Sequence, residues 1–273
     1  MSPPRFLFVH VMKTGGTSLV LHLLGEFPDK ATYPSADWDR RHPMDAEPYA
    51  SISDLVALSA ERRGEIRLYA GHFPFVARDL IGPDVKTFTL LRDPIDRTIS
   101  ILKHFKRRYE RFRNAPLDEV YEDPFVYRHF IENYQAKVFA VRAEDRPNAF
   151  VSSLSFQEIR DELERPRDRA QAESIARATE TALRIDDDGL DRAMATLAQV
   201  DAIGTDERLQ EFVEELRLRF GWWSAGTNDL PRANMSSERW VATAALRRRI
   251  ARDNAIDLEF FRYATELIRE RQG

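Results

Sequence analysis

Met12-Lys13-Thr14-Gly15-Gly16-Thr17-Ser18 gathers an amine, two glycines and three hydroxyls between an apolar, β-prone run and a segment with helical spacing of Leu and Val. Glycines let a backbone approach a ligand closely, and a helix amino terminus offers N–H groups that have no intrahelical partner. Binding of phosphate or phosphosulfate is the chemistry that follows, with Lys13 as a point charge and Thr17 and Ser18 as hydroxyl donors. In a nucleotide-triphosphatase P-loop, G-x-x-x-x-G-K-[ST], the lysine follows the last glycine, whereas here Lys13 precedes Gly15 and Gly16. That order argues against an ordinary kinase or ATPase. Taken alone, the segment also reads as a strand-to-helix turn beside an exposed lysine.

Two further groups of residues offer chemistry. Leu90-Leu91-Arg92-Asp93-Pro94 ends an apolar run on an arginine, and Ser100 follows in the predicted helix. A guanidinium fork with a hydroxyl nearby suits phosphate; the alternative is a local Arg92–Asp93 ion pair at a turn. His72 sits in Leu68-Tyr69-Ala70-Gly71-His72-Phe73-Pro74-Phe75. Imidazole is a side chain suited to taking a hydroxyl proton near pH 7, although a histidine among aromatic residues also reads as a packing residue. His10 reads as a core or near-site structural residue, while His22, His42, His104 and His129 have no supporting context. The basic run over 103–113 suits either attraction of an anionic acceptor or a solvated helix face with Glu110 as its internal partner.

Together these segments resemble the sulfotransferases that use 3'-phosphoadenosine 5'-phosphosulfate (PAPS). Phe8-Val9-His10-Val11-Met12-Lys13-Thr14-Gly15-Gly16-Thr17-Ser18 resembles that family's 5'-phosphosulfate-binding loop, above all in the carbohydrate branch, sulfotransferase family 2, with the heparan sulfate 2-O- and 6-O-sulfotransferases and bacterial relatives. Met12 stands where that branch usually has proline. The resemblance implies that Lys13, Thr14, Gly15, Gly16, Thr17 and Ser18 hold the phosphosulfate, and that Arg92 and Ser100 hold the 3'-phosphate. It also implies that the product is adenosine 3',5'-bisphosphate and that no metal is required. It makes His72 the general base and Lys13 its catalytic partner. Asn133 and Gln135, in Asn133-Tyr134-Gln135-Ala136-Lys137, resemble a segment near the acceptor, with helix-surface residues as the alternative. Ile203-Gly204-Thr205-Asp206-Glu207 and Arg232-Ala233-Asn234-Met235-Ser236 look like further landmarks, the second closing over the nucleotide. The implied acceptor is a hydroxyl on a carbohydrate, with a peptide tyrosine or a small alcohol as alternatives. Two competing functions are a phosphoryl transferase, opposed by the place of Lys13 and the lack of an obvious strand-end Asp for magnesium, and a non-catalytic nucleotide- or glycan-binding module on the same fold.

The elements that must position these residues follow from periodicity. Strands are predicted over 6–11, 66–70 and 85–91, each followed by one of the segments above, with helices over 17–27 and from 95 to about 113. Residues 31–48 show no period and read as a surface excursion. Further on, Ser155 and Glu158 have capping-box spacing, Pro166 marks a stop, and a helix over 189–199 precedes a strand over 200–203. A helix over 205–220 ends at Gly221, and one or two helices broken near Asn254 run from 237 to the end. Alternating strands and helices predict the α/β class, and with the resemblance a P-loop-like three-layer α/β/α fold with a central parallel sheet and a mostly helical C-terminal half, in a single domain over 1–273. The 273 residues carry 41 basic and 45 acidic side chains, a net charge of −4 that argues against nucleic acid as a partner. Without cysteine there is no disulfide or thiolate chemistry, and the histidines lack zinc spacing. No signal-peptide start and no membrane-spanning apolar run is present, so the expected location is cytoplasmic.

Overall fold

The computed structural model describes residues 3–34, 58–82, 84–141, 184–222 and 240–272. In it, β1 (Phe6–Val9), β2 (Thr32–Tyr33), β3 (Leu68–Tyr69), β4 (Lys86–Leu91) and β5 (Ala202–Thr205) form one sheet in the order β2-β3-β1-β4-β5. All neighbours run parallel, with Leu7 opposite Tyr69, Val9 opposite Thr89, and Thr89 opposite Ile203. The principal helices are α1 (Gly16–Leu23), α2 (Ala60–Glu65), α3 (Ala77–Ile81), α4 (Pro94–Arg108), α5 (Leu117–Glu122) and α6 (Tyr134–Ala140). Four more follow: α7 (Asp187–Leu197), α8 (Leu209–Phe220), α9 (Ala244–Asp253) and α10 (Ala255–Gln272).

Every residue of β1 is buried, as a parallel strand covered on both faces requires. The two-residue period of the strand divides its side chains. Phe6 and Phe8 face a layer with Leu19 and Leu23 of α1, Phe212 and Leu216 of α8, and Trp222. Leu7 and Val9 face the larger layer, which holds Ile101 and Leu102 of α4, Phe139 of α6, Leu190 of α7, Ile250 of α9 and Phe260 of α10. The architecture is therefore α/β/α in three layers around a parallel sheet, with most of the later helices on one side.

Local chemistry sets the helix ends. Pro94 stands in the first turn of α4, and Asp93 caps it by accepting the N–H groups of Ile95 and Asp96, each at 3.0 Å. Asp186 caps α7 and Thr243 caps α9 in the same way. Gly221 ends α8 with a left-handed φ of 70°, and Asn254 separates α9 from α10.

Several predicted boundaries move. The helix expected to reach Arg113 stops at Arg108, and a 3-10 turn at Glu110–Phe112 follows. The cause is Lys106, buried on that helix, whose ammonium donates to the carbonyls of Phe112, Arg113 and Ala115 and draws the chain back over it. α1 ends at Leu23, and Phe27 folds back to meet Phe6 and Trp222 edge-on. β5 begins two residues later than expected because Val200 still closes the end of α7 by donating to Leu197. β2 lies inside the stretch read as aperiodic; it is too short to show a period and is held by its neighbour β3. Residues 35–48 of that stretch, the Ser155–Glu158 spacing, Pro166 and the Arg232 to Ser236 landmark lie outside the described residues.

Candidate active site at the ends of β1, β3 and β4

The chain leaves β1 toward β2 on one side of the sheet and leaves β4 toward β5 on the other. Beyond the carboxyl ends of two such neighbouring strands lies the crevice where open α/β sheets bind ligands. Lys13 to Ser18 follow β1, Arg92 follows β4, and β3, on the other flank of β1, delivers His72.

The loop after β1 is tightly constrained. Thr14 Oγ1 donates to the Val11 carbonyl at 2.9 Å, Arg97 Nε donates to the Met12 carbonyl at 3.1 Å, and Ser18 N donates to the Gly15 carbonyl at 3.1 Å. Lys13 is held at a φ of 68°, a left-handed conformation that costs an L-residue about 1–2 kcal/mol, and Gly15 lies at 87°. Gly15 has no side chain to cap α1, and among the described residues the helix presents its first N–H groups without a capping side chain. Close approach also requires both glycines: a Cβ on Gly16 would lie 2.1 Å from His10 Nε2, and one on Gly15 would lie 2.2 Å from Asp206 Oδ1. Thr17 is exposed, Lys13 half-buried, and Thr14 and Ser18 buried.

His72 meets the same loop from the side. Its Nδ1 lies 2.7 Å from the carbonyl oxygen of His10, and the two rings are 4.1 Å apart between centres. A carbonyl only accepts, so the hydrogen is on Nδ1, and in the neutral ring the lone pair is on Nε2. The His10 imidazole, stacked on Phe8, is held well below its usual range by burial and then by the charges of His72 and Lys13. It is a neutral wall behind the loop.

Arg92 is fixed at both ends. Its backbone is clamped by the amide of Gln135, which accepts from Arg92 N at 3.1 Å and donates to Arg92 O at 2.8 Å. Its Nε pairs with Asp206 Oδ2 at 3.2 Å, leaving the terminal nitrogens as the fork. Asp93, the alternative partner in the sequence, is committed to capping α4. Ser100 lies half-buried in the second turn of that helix.

Asn133 and Gln135 are interior. Gln135 is fully buried with its amide on Arg92, and Asn133 Oδ1 accepts from Asp257 N at 3.2 Å while Asn254 Oδ1 accepts from Asn133 N at 2.9 Å. Their polar atoms join α6 to α10 and to Arg92, and neither residue lies on the helix surface. Asp257, whose carboxyl burial pushes up, accepts the N–H groups of Gln135 and Ala136.

Sequence reading missed Arg97, which is fully buried between the Met12 loop and the helical layer. Burial lowers its guanidinium to about 10, opposed by Tyr134 and Asp257, so it remains charged near pH 7. A signal existed: Arg97 shares a helix stripe with Ile101 and Phe105, where a charge is out of place unless it has a task. Among the described residues, no group of three or more His, Asp or Glu side chains is placed to hold a metal ion, and no helix is long and apolar enough to cross a membrane.

No protein-family model matches the chain, and no curated protein matches it. Among solved structures, it is similar to the crystal structure of a sulfotransferase from Alicyclobacillus acidocaldarius, at 18% identity over 98% of this chain and 97% of that one, with a TM-score of 0.45.

Proposed function

We propose that this protein is a sulfotransferase that moves a sulfuryl group from PAPS to a hydroxyl, with a carbohydrate as the acceptor class. The observation that carries the reading is the convergence of three differently built groups at the ends of adjacent strands: an uncapped helix start with Lys13, a clamped Arg92, and His72 against the loop. The choice of a carbohydrate rests on the resemblance of residues 8–18 alone.

The residues fit the donor's two anionic ends. Gly15, Gly16, Thr17, Ser18 and Lys13 would hold the phosphosulfate, and Arg92 with Ser100 the 3'-phosphate. Bound there, the donor supplies an activated sulfuryl group with adenosine 3',5'-bisphosphate as its leaving group. His72 Nε2 takes the proton of the acceptor hydroxyl, while Lys13 and the loop N–H groups offset negative charge on the leaving oxygen. Asp206 and Asp93, both at strand ends, are engaged with Arg92 and with the start of α4, an arrangement that favours anion binding over magnesium-dependent phosphoryl transfer.

Labelled PAPS incubated with separate pools of oligosaccharides, tyrosine peptides and small alcohols tests the reading. Label is expected in the oligosaccharides, and His72→Ala is expected to lower transfer by at least about 100-fold while leaving bisphosphate affinity within about twofold. Label in the peptide or alcohol pool alone would replace the acceptor class. Undiminished transfer by the variant would remove His72 from the chemistry.

A further inference from the structure

Lys13 is the strained residue of the loop, and its strain is met from outside the loop. The backbone conformation at φ 68° is one that L side chains rarely adopt, so surrounding contacts must hold it. The peptide plane between Met12 and Lys13 is pinned by Arg97 Nε on the Met12 carbonyl at 3.1 Å. Orientation of that plane is part of what defines φ at Lys13. Arg97 is itself fixed: a second nitrogen donates to the Phe130 carbonyl, and the guanidinium stacks over the Tyr134 ring at 4.0 Å. Its remaining nitrogen, Nη2, is buried with no hydrogen-bond partner among the described residues. Burying a guanidinium in this way is costly, and its hydrogen bonds go to two carbonyls lying in different parts of the chain.

Resting on the reading of the loop as the donor site, we propose that Arg97 is a positioning residue that holds Lys13 in its left-handed conformation and thereby presents the amine to the donor's phosphosulfate. A single ammonium cannot reproduce the fork that reaches both carbonyls, so the role is specific to arginine. The competing assignment is a core cation that only balances the neighbouring Asp257 charge.

A double-mutant cycle separates the two. Glycine adopts the left-handed region without strain, so in a Lys13→Gly background the brace has little left to do. Affinity for adenosine 3',5'-bisphosphate is measured calorimetrically in Arg97→Gln, Lys13→Gly and the double variant. Arg97→Gln is expected to weaken binding about tenfold in the presence of Lys13 and by less than about twofold in the Lys13→Gly background. Equal losses in both backgrounds would make Arg97 merely structural and overturn the proposal.

Arg97→Lys supplies an independent arm should the glutamine variant not fold. In the ligand-free protein, amides of residues 12–18 are expected to exchange hydrogen about tenfold faster, with the buried amides of α4 unchanged. Unchanged exchange in the loop would also overturn the proposal. Failure of the unaltered protein to bind the bisphosphate would instead overturn the donor site, and the exchange arm then decides the role of Arg97 alone.

Discussion

His10 shows how closely single residues depend on one another at this site. Its carbonyl takes the Nδ1 hydrogen of His72, its ring stacks on Phe8, and its Nε2 occupies the space that a side chain at position 16 would need. Because burial holds the folded imidazole below the unfolded value of 6.5, the unfolded chain binds more protons at pH values between the two. The contribution is therefore intact above about pH 6.5 and is lost as the pH falls through the folded value. Thermal midpoints measured from pH 7.5 to 5 are expected to fall more steeply in the native protein than in His10→Gln. Equal slopes would show that His10 does not titrate on unfolding. Lys13, Arg92 and His72 could be singled out as candidates because each stands in a short local segment that resembles a known one. Asp206 as partner of Arg92, Gln135 as its clamp and Arg97 as brace were not, since each contact joins residues far apart in sequence.

At the scale of elements, α4 carries the greatest demand, because it begins immediately after Arg92 and holds both Ser100 and Arg97. Asp93 fixes where it starts. Asp93→Ala is expected to lower stability by about 1 kcal/mol, and Asp93→Ser to avoid most of that loss, since a serine hydroxyl also accepts from the first turn. Urea denaturation reads both. A serine variant as weak as the alanine variant would mean that the carboxylate acts there as a charge. The start of this helix was legible in Asp93-Pro94, whereas its end was not: the helical pattern continues to Arg113, and only the return of Lys106 onto later carbonyls stops it. The sheet was legible where strands were long and apolar. β2 was missed because two residues paired to β3 leave no period in the sequence.

The whole molecule places a parallel sheet between a small helical layer and a large one, and the large layer reaches into the site. A polar path runs from Asp257 on α10 to the backbone of Gln135, and from the Gln135 amide to Arg92 at the end of β4. Arg97 makes a second connection, from the same layer to Met12 beyond β1. The later helices thus set the geometry of two loops that precede them by tens of residues, a relation that periodicity alone does not carry.

Calorimetric titration in metal-free buffer compares adenosine 3',5'-bisphosphate with adenosine 5'-monophosphate, which lacks the 3'-phosphate, in the native protein and in Arg92→Ala. The bisphosphate is expected to bind at least about tenfold more tightly than the monophosphate in the native protein, and Arg92→Ala to abolish most of that difference. Equal affinities in the native protein, or a difference that survives in Arg92→Ala, would contradict a donor site built on Arg92.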